Sequence, residues 1–278
     1  MVKLLFSVVI FTIISSGLAE PFCNFKEENG LYECALSLGI VNAENAKDKI
    51  IGTHSPTTKK DEDVQRIFSD TQISVHALTS AFTTFINLEV MEFPRNIVTY
   101  MNETNFFDCI KLKKFTLSGS GGLDTINSGT FAACKNLEEI NLSSNNMASL
   151  QNDAFIELSL LTKLDLSDNV ITVLSASVFN PLVELKTLIL NKNQMTTLHN
   201  LLLVKTTKLE FLSIHTNKIN KLSVALVDKI GSLTTFDLSA NVLDKAERGF
   251  FDKLTNLRDA YFDGNLCIGK NYTGGNLG

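Results

Sequence analysis

The sequence predicts an α/β solenoid, with a parallel β-sheet on its concave face and irregular or short helical segments on its convex face. The first observation is a period. Six asparagines stand 24 residues apart without a slip, namely Asn145, Asn169, Asn193, Asn217, Asn241 and Asn265. The second observation is that each of these repeats opens on a leucine and carries apolar residues three and five positions later, as in Leu161, Leu164 and Leu166. A fixed period of this length is typical of stacked repeats that share one core.

Each repeat is expected to contain a short strand and a return path. The segment x-L-x-L-x alternates with a period of two, which indicates a strand with one buried face. One strand per repeat, all running in the same direction, gives a parallel sheet that turns its leucines inward. No single coil can bury these side chains alone, so at least about three coils must stack.

The asparagine follows the strand, where the chain turns inward and takes backbone N–H and C=O groups away from water. Its amide has donors and an acceptor, so it can satisfy those groups from inside the turn. Stacked in register, the six amides form a ladder from coil to coil. We therefore interpret these asparagines as structural residues and not as ligand contacts.

About nine coils of 24 or 25 residues are predicted over residues 64–267. Six of them open at Leu137, Leu161, Leu185, Leu209, Leu233 and Leu257, and three earlier ones at Val64, Leu88 and Leu112. Apolar residues on the return path, mostly aromatic, are Phe82, Phe106, Phe131, Phe155, Phe179, Leu203, Val227 and Phe251.

One coil departs from the pattern. The stretch LSGSGGLDTI carries an extra residue, and Ser120, Gly121 or Gly122 stands where the ladder asparagine is expected. Because glycine permits unusual backbone angles, we expect a local bulge. Sequence drift is the default explanation, with a hinge or a contact loop as the alternatives.

Residues 1–19 are predicted to be a secretory signal peptide. Lys3 supplies the positive start, Leu4 to Ile14 the apolar run, and Ala19 the end of a small-residue cleavage site. A membrane anchor is the competing interpretation, but the run is too short for a comfortable span. Since no later segment reaches 18 uninterrupted apolar residues, we expect a secreted, extracellular chain without a membrane span.

Secretion makes the five cysteines candidates for disulfides. Cys23 and Cys34 flank an Asn-Gly turn signal, which predicts a disulfide-pinned hairpin that caps the open end of the core, within residues 20–63. A solvated loop is expected over residues 59–63.

The other three cysteines lie in or after the repeats. For Cys109 and Cys134 we favour buried free thiols over a disulfide between neighbouring coils. Cys267 precedes a polar tail, 268–278, that is not expected to cover the edge of the last coil. A truncated chain, an unusual cap and an intermolecular bond are the three explanations.

The arrangement L-x-x-L-x-L-x-x-N-x-L-x-x-L-x-x-x-x-F resembles the leucine-rich repeat of extracellular proteins. The resemblance covers residues 64–267 and implies a leucine-rich-repeat horseshoe. The Y-x-C element, IIGTH at 50–54 and the charged stretch KKDEDV are similar to the N-terminus of secreted leucine-rich-repeat proteins of arthropods. The resemblance implies recognition of a protein, a glycan or another macromolecule, in innate immunity or at the cell surface.

Solenoids use their concave face for binding, so residues that alternate with the buried leucines are the candidate contacts. We expect Ile189, Phe211, His215 and Tyr261 to be recognition anchors, because exposed aromatic residues often play this part. The surrounding carboxylates favour a basic or hydrogen-bond-donating partner, and those assigned to the site are Asp237, Asp259 and Asp263. Scattered surface apolar residues are the alternative interpretation.

Three sequons predict N-glycosylation, at Asn102, Asn141 and Asn271. Asn141 falls at a concave-face position of its strand. A glycan there would obstruct the N-terminal half of the face and confine a ligand to the later coils.

Several function classes are disfavoured. A net charge of −5 argues against nucleic-acid binding. His215, Ser239 and Asp263 fall in one row, but a triad needs the histidine in the middle, so no catalytic residue is predicted. The histidines are dispersed and the cysteines lack zinc spacing, so neither a metal nor a cofactor is expected.

Two alternatives to a free binding protein stay open. One is an extracellular matrix or assembly subunit, as a homodimer or disulfide-linked through Cys267. The other is the ectodomain of a leucine-rich-repeat receptor.

Overall fold

The structure is a computed structural model and describes residues 22–28, 31–37, 51–53, 59–69, 81–95, 98–119, 121–266 and 272–273. Several residues named above lie outside these ranges: those of the signal peptide, together with Ile50 and His54 of the IIGTH stretch, Ser120, Cys267 and Asn271.

A single sheet of thirteen strands runs through the described residues. Nine of its strands are parallel neighbours, one per coil: Arg66–Phe68, Val90–Pro94, Lys114–Ser118, Glu139–Asn141, Lys163–Asp165, Thr187–Ile189, Phe211–Ser213, Thr235–Asp237 and Asp259–Tyr261. Paired residues are 24 apart, as in Leu164 beside Leu188, except that Lys114 pairs with Glu139 across the coil with the extra residue. Nine strands bracket eight complete turns, so the predicted solenoid with a parallel concave sheet is confirmed.

The sheet continues at its N-terminal end into a hairpin. Phe22–Glu28 and Leu31–Ser37 pair antiparallel, and Ile51–Thr53 pairs with the first of them. Leu31–Ser37 in turn lies parallel to the first coil strand. A disulfide joins Cys23 to Cys34, with the Cα atoms 5.1 Å apart, and this predicted pairing is confirmed.

At the other end, two residues of the polar tail pair with the sheet, which the sequence analysis did not predict. Tyr272–Thr273 forms a two-residue strand that pairs antiparallel with Asp259 and Ala260 of the last coil strand. The tail therefore extends the hydrogen-bonded sheet, because backbone pairing requires no apolar side chains.

The return paths contain only short regular pieces, as predicted. Residues 81–84 are helical, Val224–Val227 is a short α-helix, and Glu103–Phe106 and Phe251–Lys253 are 3₁₀ turns. Two small parallel sheets join neighbouring coils: Thr125–Ile126 with Ser149–Leu150, and Lys221–Leu222 with Lys245–Ala246.

The stretch 59–63, expected as a solvated loop, includes a 3₁₀ turn at Asp61–Asp63. The backbone N–H of Lys60 donates to the Asp63 carboxylate at 2.8 Å. This cap satisfies a backbone donor at the start of the turn, which is why the charged stretch holds a regular conformation.

The core lies between the sheet and the return paths. The inward leucines of the strands are buried, and so are the return-path residues Phe82, Phe106, Phe131, Phe155, Phe179, Leu203 and Val227. The last coil departs from the prediction, since Phe250 is buried while Phe251 is only partly so. Phe250 packs on Phe236, and Phe251 packs edge-on against Phe262. Both residues point into the core, and in this coil Phe250, the earlier of the two, is the more deeply buried.

The asparagine ladder has the same hydrogen bonds in each central coil. The Nδ2 of Asn193 donates to the carbonyls of Leu166 and Leu190 at 3.0 and 3.1 Å, and its Oδ1 accepts from the N–H of Ile171 at 3.0 Å. Each amide therefore ties its own strand end to the coil before it. Asn145 is the exception, because no described residue donates to its buried Oδ1. This interruption faces the coil that carries the extra residue.

The residue before each ladder position has a left-handed backbone. The φ angles lie between 51° and 75°, at Arg95, Gly119, Ser144, Asp168, Lys192, Thr216, Ala240 and Gly264. A positive φ is uncommon outside glycine and is a genuine outlier for a β-branched residue. The turn into the ladder therefore imposes this conformation whatever the side chain.

The preference for free thiols at Cys109 and Cys134 is wrong. The two residues are buried and joined by a disulfide, with their Cα atoms 4.8 Å apart. The neighbouring rings of Phe106 and Phe131 lie 4.8 Å apart, so the return paths approach closely enough for a bond.

Candidate ligand-binding face

The strand register places the predicted contacts on one face. Across the last four coils one row reads Thr187, Phe211, Thr235 and Asp259, and the next reads Ile189, Ser213, Asp237 and Tyr261. These residues alternate with buried leucine, phenylalanine and alanine, so they project from the concave side of the sheet. His215 and Asp263 follow two residues after the ends of these rows. We call this surface, residues 187–263 on the concave side, the C-terminal face.

An apolar centre lies on the C-terminal face. Ile189 and Phe211 are partly buried and lie diagonally on adjacent strands, at the roughly 8 Å spacing of such pairs. Neither belongs to the contiguous buried core, which is complete without them. Tyr261 lies two strands further along, also partly buried. Their apolar surface is therefore available to a partner and is not needed to fill the interior.

The aspartates of this face have different partners. The Oδ1 of Asp237 accepts from the backbone N–H of Ser239 at 3.0 Å and from its hydroxyl at 2.7 Å. Asp165 makes the same pair of bonds with Ser167. Asp237 is thus occupied in holding the end of its strand, in addition to carrying a charge. Asp259 lies on the next strand and makes no such bond to a described residue.

The row of His215, Ser239 and Asp263 does not form a catalytic arrangement. The Ser239 hydroxyl donates to Asp237, and the Nδ1 of His215 lies 2.8 Å from the Thr216 hydroxyl. Among the described residues no cluster of His, Cys, Asp or Glu could hold a metal ion. The described side chains of Ser239 and His215 are therefore bonded to their own neighbours and not to each other.

The N-terminal coils carry a charged network that sequence reasoning missed. Arg66 forms ion pairs with Glu33, which is almost fully buried, and with Glu92 at 2.6 Å. Glu92 also pairs with Lys114 at 2.7 Å, and Lys26 reaches Glu33 at 3.0 Å. Burial alone would raise the pKa of Glu92, but the hydrogen bonds from Lys114 and Arg66 outweigh it and lower the pKa. Opposite charges at concave-face positions of successive coils were the signal that could have revealed this network.

Beside the network lies a shallow pocket of about 290 Å³ on the same side of the sheet. Its lining includes Phe68, Pro94, Thr116, Glu139, Asn141 and Lys163. Six of its ten lining residues are polar or charged, and Glu92 and Lys114 of the charged network are among them. Asn141, one of the predicted glycan acceptors, forms part of its wall.

Fold and face together define a repeat solenoid with an open, preformed contact surface on its sheet. Residues 69–182 match the family profile of the BspA-type leucine-rich repeat region in six copies, and residues 159–219 match a second leucine-rich-repeat profile. The chain is a leucine-rich-repeat protein. A comparison with curated proteins finds no match.

Solved structures share this fold at low sequence identity. A chain of the TLR13–ssRNA13 complex aligns with a TM-score of 0.65 and 21% identity, over 74% of this chain and 30% of that one. A leucine-rich-repeat protein of Leptospira interrogans aligns with a TM-score of 0.61 and 21% identity, over 74% of this chain and 50% of that one. The chain therefore spans between about a third and a half of the length of these neighbours.

A third structure, the Toll–Spatzle complex of Drosophila, aligns with a TM-score of 0.45 and 19% identity, over 73% of this chain and 33% of that one. At these identities the likeness concerns the fold alone. No helix in the described ranges is both long and apolar enough to cross a bilayer.

Proposed function

We propose that the protein is a secreted leucine-rich-repeat binding protein that recognises a protein ligand through its C-terminal face. The observation that carries the proposal is the apolar centre of Ile189 and Phe211, which lies on the sheet outside a core that is already complete. Partly buried aromatic anchors surrounded by polar groups are the usual energetic centres of protein interfaces.

The charges of this face indicate the chemistry of the ligand. The face has three rows of side chains, which start at Thr187, Ile189 and Asn191 and repeat every 24 residues over four coils. These rows contain Asp237, Asp259 and Asp263 but neither lysine nor arginine. One structural neighbour was solved with single-stranded RNA, but a phosphate backbone would be repelled by this set of carboxylates. A protein segment with apolar and basic side chains is the complementary partner.

The setting we propose is recognition in innate immunity or at the cell surface. It rests on the predicted signal peptide and on the resemblance of the N-terminal residues to secreted arthropod proteins. Two disulfides in the described part of the chain support an oxidising compartment.

A matched pair of variants tests the proposal. Phe211→Ala removes the anchor, and Phe107→Ala removes a phenylalanine that is 51% exposed on a return path, away from the sheet. Secreted proteins from the source tissue would be passed over immobilised wild-type chain and both variants. A partner retained by the wild type should be bound at least about 30-fold more weakly by Phe211→Ala, the loss expected for a hot-spot residue, and unchanged by Phe107→Ala.

Equal binding by wild type and Phe211→Ala, with both folded by circular dichroism, would place the contact elsewhere and refute the proposal. The salt dependence gives a second readout. If basic groups of the partner meet these aspartates, association should slow as ionic strength rises.

A further inference from the structure

We propose that the pocket on the N-terminal half of the concave face is the seat of an N-linked glycan carried by Asn141. The occupant is the proximal part of that glycan, beginning with its N-acetylhexosamine. The pocket and the Asn141-Leu142-Ser143 sequon are two independent observations, and they coincide because Asn141 is itself a lining residue.

The side chain of Asn141 is already oriented for this role. Its Oδ1 accepts a hydrogen bond from the backbone N–H of Ser143 at 2.9 Å. The bond restrains the orientation of the amide. No described residue accepts a hydrogen bond from that nitrogen, so attaching a sugar there breaks no contact within the described structure.

The pocket continues from Asn141 across the sheet. Thr116 lies beside Asn141 on the neighbouring strand, and its small side chain leaves space above the sheet. Phe68 lies three strands from Asn141, at about 14 Å. Phe68 and Pro94 offer apolar surface to the faces of sugar rings. Lys163 can donate hydrogen bonds to sugar oxygens, and it has no ion-pair partner among the described residues.

The covalent step needs a co-reactant, which is an oligosaccharide linked to a lipid through pyrophosphate. The Nδ2 of Asn141 forms a bond to C1 of the first sugar, the bond between C1 and the pyrophosphate oxygen breaks, and the amide gives up one proton to solvent. The lipid pyrophosphate leaves with the electron pair. No oxidation or reduction takes place.

The second described sequon provides a control within the same chain. Asn102 lies on a return path just before the 3₁₀ turn at 103–106, where its Oδ1 accepts from Thr104. It borders neither the sheet nor the pocket. A glycan at Asn102 should therefore stand in solvent, whereas one at Asn141 should be held against the protein.

The test uses the chain secreted from a eukaryotic host behind a host leader, so that it is independent of residues 1–19. The folded glycoprotein is treated with a peptide amidase in ¹⁸O water, and released sites are quantified over time by peptide mass. We expect both sites to carry a glycan. The glycan at Asn141 should be released more slowly by about tenfold or more, which corresponds to about 1.4 kcal/mol of stabilisation by the pocket. Unfolding the chain first should remove the difference.

Variants of the pocket sharpen the result. Lys163→Ala should speed release at Asn141 without changing release at Asn102. Lys186→Ala, at a comparably exposed lysine that pairs with Glu210 outside the pocket, should change neither.

If Asn141 carries no glycan, the proposed modification is refuted. If the glycans at the two sites are released at equal rates from the folded chain, the proposal that the pocket holds the Asn141 glycan is refuted. Neither result bears on ligand binding by the C-terminal face, so failure of this inference and failure of the proposed function are separable. Ser143→Ala, which removes the sequon but keeps the backbone N–H that bonds Asn141, provides the unglycosylated reference.

Discussion

Replacing Asn193 with alanine removes a central rung of the ladder, and its cost can be worked out bond by bond. The carbonyl of Leu166 also accepts from Asn169, and the carbonyl of Leu190 also accepts from Asn217. Both carbonyls therefore keep one donor in the variant. The N–H of Ile171 keeps none, because it donates to Asn193 alone among the described bonds.

One buried, unsatisfied N–H costs about 1–3 kcal/mol. The weakened carbonyls and the lost packing of a side chain that is 6% exposed add to this, so we expect a total of about 3 kcal/mol. The measurement is urea unfolding followed by circular dichroism, with amide exchange of Ile171 as the local readout. Asn256→Ala is the matched control, because its amide also bridges two coils, to the carbonyl of Gly231 at 2.8 Å, but is exposed. It should cost less than about 1 kcal/mol.

The shared carbonyls make a second, stricter test. In the double variant Asn169→Ala with Asn193→Ala, the carbonyl of Leu166 loses both donors, so the cost of the double variant should exceed the sum of the two single-variant costs by about 1 kcal/mol. Asn169→Ala with Asn217→Ala shares no carbonyl and should be additive. A single-variant cost below about 1 kcal/mol at Asn193, or additivity in both pairs, would refute this account of the ladder.

Three further predictions concern other parts of the fold. Thr216→Gly should stabilise the chain by about 0.5–1 kcal/mol in thermal unfolding, because its φ of 54° strains a β-branched residue. Removing the disulfide of Cys109 and Cys134 by double alanine substitution should cost about 3 kcal/mol, since it closes a loop of sequence separation 25. Glu92 has a lowered pKa in the folded state, so its stabilising effect is fully present above the ordinary carboxyl pKa of about 4.3 and is lost as pH falls through the lower folded value. Glu92→Gln should flatten that part of the acid-unfolding profile.

Each of these predictions has its own control. Thr187→Gly, in a regular strand, should destabilise, and a gain there would show that glycine acts through something other than backbone strain. The double alanine variant has no bond at this site for a reductant to break. If its unfolding midpoint equals that of the oxidised wild type, the disulfide estimate is contradicted. For Glu92→Gln, a pH profile identical to that of the wild type would show that the ion pairs with Arg66 and Lys114 do not contribute.

The solenoid and its ladder could be predicted because they repeat. Each consensus position recurs in every coil, so an untypical residue in one coil does not obscure the pattern. The same register located Ile189 and Phe211 on one face. What the period cannot reveal is a contact outside the repeat consensus. The carboxylate of Asp237 turns back to Ser239, as that of Asp165 does to Ser167, and these bonds depend on the Asp-x-Ser at the two strand ends and not on the repeated leucines and asparagines.

Contacts between unlike segments were the least predictable. The disulfide of Cys109 and Cys134 depends on the distance between two return paths, which the spacing of strands does not fix. Arg66 pairs with Glu33 of the hairpin, a residue outside the repeats whose neighbours follow from how the hairpin docks. The strand at Tyr272–Thr273 is held through its backbone, for which a polar, glycine-rich tail gives no side-chain signal.

The ladder also bears on how such a chain can change in length over evolution. Because every rung bonds only its own coil and the one before it, duplication or loss of a whole 24-residue unit recreates each bond at the new junction. Single-residue changes do not have this property. The coil with one extra residue faces the rung at Asn145, whose Oδ1 lacks a donor among the described residues. Descent should therefore favour variants that differ by whole coils, and related chains should be longer or shorter mostly in multiples of this unit.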